Sequence, residues 1–166
     1  MTRSPLPVLA TLAAAFATAL GPTATPAAAN ARLDGLERAV IRHVNAFRAR
    51  NGLGMVRHSH PLSRSADRHS RDMVRRDFLT HFSSDGTPFD ARIRRYAGAK
   101  LVGETLAALP RGGGGAAAVV RIWRHSPPHR AILLAGQFQR IGVARRWGSV
   151  LGGPSAVFTA DFASAY

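Results

Sequence analysis

The chain contains no cysteine. No disulfide can staple the fold, and neither a thiolate zinc site nor a cysteine nucleophile is available. Any metal must therefore be held by His, Asp or Glu. Aromatic residues make up only 7% of the chain, so the core has to be built on Val, Ile, Leu and Ala. Acids are scarce as well: Glu37 and Glu104 are the only glutamates, and Lys100 is the only lysine. No GxxxxGK pattern accompanies the glycine run Gly112–Gly115, which excludes a phosphate loop. No GxSxG elbow occurs either, so nucleophilic serine catalysis of that type has no support.

What is present is arginine. Lys and Arg total 23 against 9 Asp and Glu, for a formal net charge of +14 in 166 residues. A field of that size draws the protein to anionic polymers and surfaces, and salt weakens it. Arginine, alanine and glycine enrichment also follows from a GC-rich genome, so charge alone does not define a nucleic-acid binder. The recognition motifs and interleaved aromatics of such proteins are missing, and nucleic acid is not an expected partner. With 46% hydrophobic and 19% charged residues the composition is that of one globular domain.

Residues 1–29 read as a secretory signal peptide. Arg3 supplies the positive start, an apolar stretch runs from Leu6 to Leu20, Gly21 and Pro22 break it, and Ala27-Ala28-Ala29 is a small-residue cleavage pattern. The alternative, a retained membrane anchor, is disfavoured by a run that is short and interrupted. Arg3 is the only charged residue removed with this segment, so the basicity belongs to residues 30–166. The expected location is outside the cell or on its envelope.

Asp34 and Glu37 have capping-box spacing at the head of a helix whose buried face is Leu36, Val40, Ile41, Val44 and Phe47; Gly52 and Gly54 end it. A second helix is expected from about Pro61 to Phe78, with Leu62, Ala66, His69 and Met73 on one stripe and His69 as a packed core histidine. His81–Phe89 has loop composition. Thr87 is expected to cap a short helix running to about Tyr96. Leu101–Leu109 is a brief apolar segment carrying GETLA, and Ala116–Trp123 is a helix that Ser126, Pro127 and Pro128 interrupt before a further turn or two over His129–Leu134. RIGVARR (Arg140–Arg146) and AVFTADF (Ala156–Phe162) pair as an antiparallel hairpin around a Gly148–Pro154 turn. Helices first and strands last indicate an α+β domain. No coiled-coil pattern is present, and a monomer is expected.

Several segments, taken in order, resemble one family: VNAFRARNGL, HSRDM, HFSSDGTPFDARI, VGETLA, WRHSPPHRAILL, RIGVA and FTADF. The chain resembles the bacterial branch of the CAP superfamily of cysteine-rich secretory, antigen 5 and pathogenesis-related proteins, from about Leu36 to Phe162. The resemblance implies an α-β-α sandwich with a central antiparallel sheet covered by helices, spanning residues 30–166. It also implies a cleft lined by two histidines and acidic residues. Carried over, these are His81 in HFSSDG, His129 in SPPHR and Glu104 in GETLA. A second glutamate found in many eukaryotic members falls near Ser126, where this chain has none, so the tetrad is incomplete.

Two imidazoles and a carboxylate suit Zn2+ or another divalent ion with coordination positions left open. Glu104 either ligates directly or orients a histidine or bound water, and the orienting role is preferred. It is the only glutamate outside the first helix and has no local capping role. Asp85 and Ser83 are expected to add polar contacts near His81. His125 and His129 have the four-residue spacing of zinc helices, but the prolines between them and the absence of a following Glu reject such a site. His58 and His60 are expected in a solvated loop. Two functions follow: a secreted binding module for lipid or an anionic envelope polymer, favoured by the incomplete tetrad, or a metal-dependent hydrolase of an extracellular polymer with Glu104 as the candidate catalytic group.

Overall fold

A computed structural model describes residues 34–166. The signal-peptide reading of residues 1–29 lies outside the described residues. Along the chain run α1 (Gly35–Ala49), β1 (Arg57–His58), α2 (His60–Arg76), α3 (Phe89–Ala97), β2 (Val102–Pro110), α4 (Ala116–His125), α5 (Pro127–Leu133), β3 (Arg140–Val150) and β4 (Gly153–Ala163). The four strands form one sheet in the order β1-β3-β4-β2. β4 is antiparallel to both β3 and β2, whereas β1 runs parallel to β3. The sheet is therefore mixed rather than purely antiparallel. A chain that leaves β1 and returns to β3 by way of helices arrives in the same direction, as a crossover connection allows. Among the described residues no helix is long and apolar enough to cross a membrane.

The expected capping box forms. The Asp34 carboxylate accepts from the Glu37 N–H at 2.7 Å, and the Glu37 carboxylate accepts from the Asp34 N–H at 3.1 Å. The same two acids reach the sheet: Glu37 accepts from the Arg145 N–H, and Asp34 pairs with the Arg145 guanidinium at 3.0 Å. Burial, as the main cause, raises the Glu37 pKa.

The β3–β4 hairpin is longer and tighter than its sequence indicates. Pairing continues to Val150↔Gly153, which leaves only Leu151 and Gly152 as the turn, both at positive φ (57° and 76°). A two-residue loop with this twist matches the twist of the strands it joins. The short helix α3 also differs from expectation: its N-cap is Pro88, with no side-chain cap bond. Thr87 is held instead by its own N–H, which donates to Asp85 Oδ1.

Alternation along β4 divides the molecule into two layers. Ala156, Phe158, Ala160 and Phe162 join the apolar core that holds α1 and α4 on one side, together with Val40, Val44, Val119 and the fully buried Trp123. Val157, Thr159, Asp161 and Ala163 occupy the alternate positions of the strand. Thr159 shares a 2.8 Å hydrogen bond with Ser70 of α2, while Leu62 and Met73 of α2 pack with Ala163 and Val157. Helix α2 lies very close to β3. A Cβ placed on Gly142 would sit 2.1 Å from the backbone of Leu62 and Ser63, so only glycine lets helix and strand approach this far.

Candidate functional site

The polar half of the sheet carries the site. Glu104 and Asp161 are opposite each other on β2 and β4, and both are buried. Alternation turns them toward the α2 layer because Ala107 and Leu109 of β2 face the other way, into the apolar core. The Glu104 carboxylate is fully engaged. One oxygen accepts from His81 Nδ1 at 2.8 Å, and the other forms a close ion pair with the buried Arg92 of α3. His69 of α2 stands 3.9 Å from that second oxygen.

Arg92 holds the loop as well as the acid. Its guanidinium also donates to the His81 carbonyl at 3.4 Å and to Ser83 Oγ at 3.2 Å. The loop is further tied by Ser84, whose N–H and hydroxyl both reach Asp72 of α2 at 2.8 and 2.7 Å. Gly86 at φ 81° makes the turn. Asp85 is exposed and serves the turn through Thr87. Of the two extra polar groups expected near His81, Ser83 thus acts through Arg92, and Asp85 only shapes the loop.

His129 arrives from the other direction. Ser126 is extended (φ −94°, ψ 114°), as a residue before proline prefers, so α4 stops and α5 starts afresh with Pro127 and Pro128 in its first turn. This break separates His125 from His129, as the rejection of a zinc helix requires. It places the His129 ring 6.2 Å from that of His81, centroid to centroid. His81 and His129 come together over Glu104, with 43% of the His81 side chain exposed.

The hydrogen bonds fix the protons. A carboxylate only accepts, so His81 Nδ1 carries a proton and Nε2 is the ring nitrogen left for another partner. His129 Nδ1 is buried and makes no hydrogen bond among the described residues. Burial and then the neighbouring His81 lower the His129 pKa, with Glu104 opposing, which favours the neutral imidazole. His69 Nε2 donates to the Thr80 carbonyl at 2.8 Å, and burial lowers its pKa despite Glu104. His69 is thus the packed core histidine expected, and also part of the ground beneath the site.

Asp161 is fully buried, and its two oxygens complete no hydrogen bond among the described residues. Burial, then the Glu104 charge, push its pKa well above the ordinary carboxylate value; Arg92 and Ser65 act against this. The shift favours the protonated form of Asp161, and Arg92 forms its ion pair with Glu104 beside it. Arg92 and Asp161 were not among the residues singled out from sequence. A signal existed for Asp161, an acid at an inward position of an alternating strand. Arg92 sits in the run Arg92-Ile93-Arg94-Arg95, where nothing local separates the buried arginine from the exposed ones.

The imidazole pair compares with a metal site in its spacing. From Zn–N bonds of about 2.0–2.1 Å, two histidines sharing an ion have ring centroids about 5–6 Å apart. The His81 and His129 centroids, 6.2 Å apart, lie just beyond that span. Among the described residues no three His, Asp or Glu side chains converge as a ready-made cation site. His58 and His60 lie elsewhere, at the junction of β1 and α2 rather than in a solvated loop, their rings 4.6 Å apart and His58 bonded to Ser63.

This arrangement belongs to a known class. Residues 41–160 match the CAP profile, described as the cysteine-rich secretory protein family, and the chain belongs to that family. It is 33% identical over 122 residues to YkwD of Bacillus subtilis (strain 168), itself uncharacterised, covering 73% of this chain and 46% of YkwD. Among solved structures it is similar to an extracellular protein containing an SCP domain from Bacillus anthracis, with TM-score 0.66 and 26% identity, over 78% of this chain and 40% of that one. An outer surface protein of Borrelia burgdorferi shares the fold at TM-score 0.66 and 22% identity, over 78% of this chain and 92% of its own. The chain thus spans less than half the length of the two Bacillus proteins.

Proposed function

We propose that the protein is a secreted CAP-domain binding module that works outside the cell or at its envelope. Its cleft is lined by His81 and His129, which hold Zn2+ or another divalent ion, and its partner is a lipid or an anionic envelope polymer. Extracellular and outer-surface relatives favour this location, as does the reading of residues 1–29. The observation that carries the binding reading is the state of Glu104. Buried, ion-paired to Arg92 and bonded to His81, it is a positioning group for the imidazole rather than a free base.

A divalent ion held by His81 and His129 would supply Lewis-acid polarisation of a ligand oxygen. The chain's own contribution is orientation. Glu104 sets the His81 tautomer, Arg92 holds both Glu104 and the His81 loop, and the α4–α5 break presents His129. Hydrolysis is the second reading, favoured by the carboxylate–imidazole pair of Glu104 and His81, which resembles the orienting half of a general-base system.

Calorimetric titration of the purified protein with Zn2+ is the test, beside the His81→Ala, His129→Ala double variant. Micromolar or tighter binding that disappears in the variant supports the cleft as a metal site. Equal binding by both, or by neither, overturns it. Retention on isolated envelope at physiological salt then separates the functions. A protein that is retained without turnover is a binding module. One that is not retained, yet cleaves an extracellular ester, amide or phosphodiester only while both histidines are intact, is a hydrolase.

A further inference from the structure

A concavity of about 520 Å³ shares no residue with the histidine pair. It is lined by Arg48, Arg57, Arg140, Gln139, Phe138 and Met55, together with Gly54 and Gly136, and contains no acid. Arg57 and Arg140 are register partners on the parallel strands β1 and β3, so their side chains leave the sheet on the same side. Arg57 is exposed and Arg140 half-buried. Among the described residues their guanidinium groups make no ion pair, whereas Arg145 and Arg146 farther along β3 pair with Asp34 and Asp67.

Beneath them lies Arg48, only 1% exposed. Its guanidinium donates to four backbone carbonyls, those of Gly54, Leu133, Ala135 and Phe138, at 2.8–3.2 Å. These bonds engage four of its five N–H groups but do not neutralise its charge, and an arginine stays charged even where burial lowers its pKa. A buried cation without a counter-charge therefore sits under a hollow whose rim carries two more cations. Field lines from all three converge in the cavity.

We propose that this hollow is an anion site for a phosphate group, gripped by the Arg57 and Arg140 guanidinium groups with Gln139 beside them and Arg48 as a fixed positive base. Guanidinium forks match phosphate oxygens two at a time, and two forks on adjacent strands can bridge one group. The site is independent of the histidine pair. It gives the protein a specific anchor for phosphate-bearing material, in addition to the diffuse attraction of a basic surface.

The test compares two variants with the same loss of charge. In one, Arg57→Gln and Arg140→Gln remove the rim; in the other, Arg75→Gln and Arg76→Gln remove exposed cations from the end of α2. Calorimetry with inorganic pyrophosphate at physiological ionic strength reads the site. The rim variant is expected to lose about tenfold or more in affinity, the scale of one charge-assisted hydrogen bond, while the control stays near wild type. Equal losses in both would reduce the effect to net charge and overturn the site, as would an absence of pyrophosphate binding by the wild type. Unchanged melting of both variants shows that each is folded. A second arm identifies the source of the phosphate. If binding to phosphatidylglycerol vesicles, against phosphatidylcholine ones, falls in the rim variant and is displaced by pyrophosphate, the site takes a lipid headgroup. If vesicle binding is the same in both variants while pyrophosphate binding is not, it takes phosphate from a soluble molecule or polymer.

Discussion

The two faces of the central sheet are built from opposite materials. Against α1 and α4 the contacts are those of an ordinary apolar core, with Phe158, Ala160 and Phe162 meeting Val40, Val44, Val119 and Trp123. Toward α2 and α3 the same strands present Thr159, Asp161 and Glu104 to Ser65, Ser70, His69 and Arg92, all buried. The first face is stabilised by apolar area removed from water and tolerates any side chains that fill the space. The second depends on specific pairs such as Ser70–Thr159 and Arg92–Glu104, because a buried group left unpaired costs more than a pair contributes. The His81–Glu104–Arg92 cluster sits on the second face, where a fixed hydrogen-bond direction aims the imidazole.

The contrast predicts a graded set of losses. Trp123→Ala should be the largest, about 3–5 kcal/mol, since it opens a cavity in the dry face. It also removes the indole bond to the Leu106 carbonyl at 2.9 Å. Denaturant titration checks this, and a cost below about 1 kcal/mol would mean that the dry face is not the main source of stability. Gly142→Ala should follow at about 1–3 kcal/mol, by forcing α2 away from β3. It should also disturb the spacing between α2 and Asp161, so heteronuclear spectra should show shifts reaching His69 and His81, which Trp123→Ala shows less.

Asp161→Asn is the mildest change and the sharpest probe. The folded pKa of Asp161 lies above its ordinary value of 3.8, so between the two the native state binds more protons than the unfolded one. Its contribution to stability is therefore complete at pH below 3.8 and is lost as pH rises through the folded value. The asparagine variant lacks this loss. Its melting temperature minus that of the wild type should be least at acid pH, grow as pH rises and then level off. A difference that is flat with pH would show that Asp161 is ionised and otherwise paired.

How much of this was legible beforehand follows the same division. Apolar periodicity located α1, the α2 stripe and the β3–β4 hairpin, because burial of a face leaves a repeat in the sequence. The capping box was legible for a similar reason, being entirely local. Leu101–Leu109 was legible only as a brief apolar segment, yet it forms the nine-residue strand β2 beside β4. β1, two residues long, is too short to carry any pattern, and with it went the parallel edge of the sheet. The histidine pair and Glu104 were reached through family resemblance, since residues so far apart in sequence have no local signal. Arg92 and Asp161 stayed hidden because their roles come from partners on other elements. A polar network is written in three dimensions, whereas an apolar stripe is written along the chain.

The position of β4 has a consequence for how the molecule comes into being. The strand nearest the C-terminus, Gly153–Ala163, lies between β3 and β2 and is the partner of both. Until it has been synthesised, β2 has no neighbour in the sheet, β3 is left with only the two-residue β1, and the layers on either side have nothing to close upon. β4 thus acts as a keystone, and the sheet cannot close on either layer until that strand has been made.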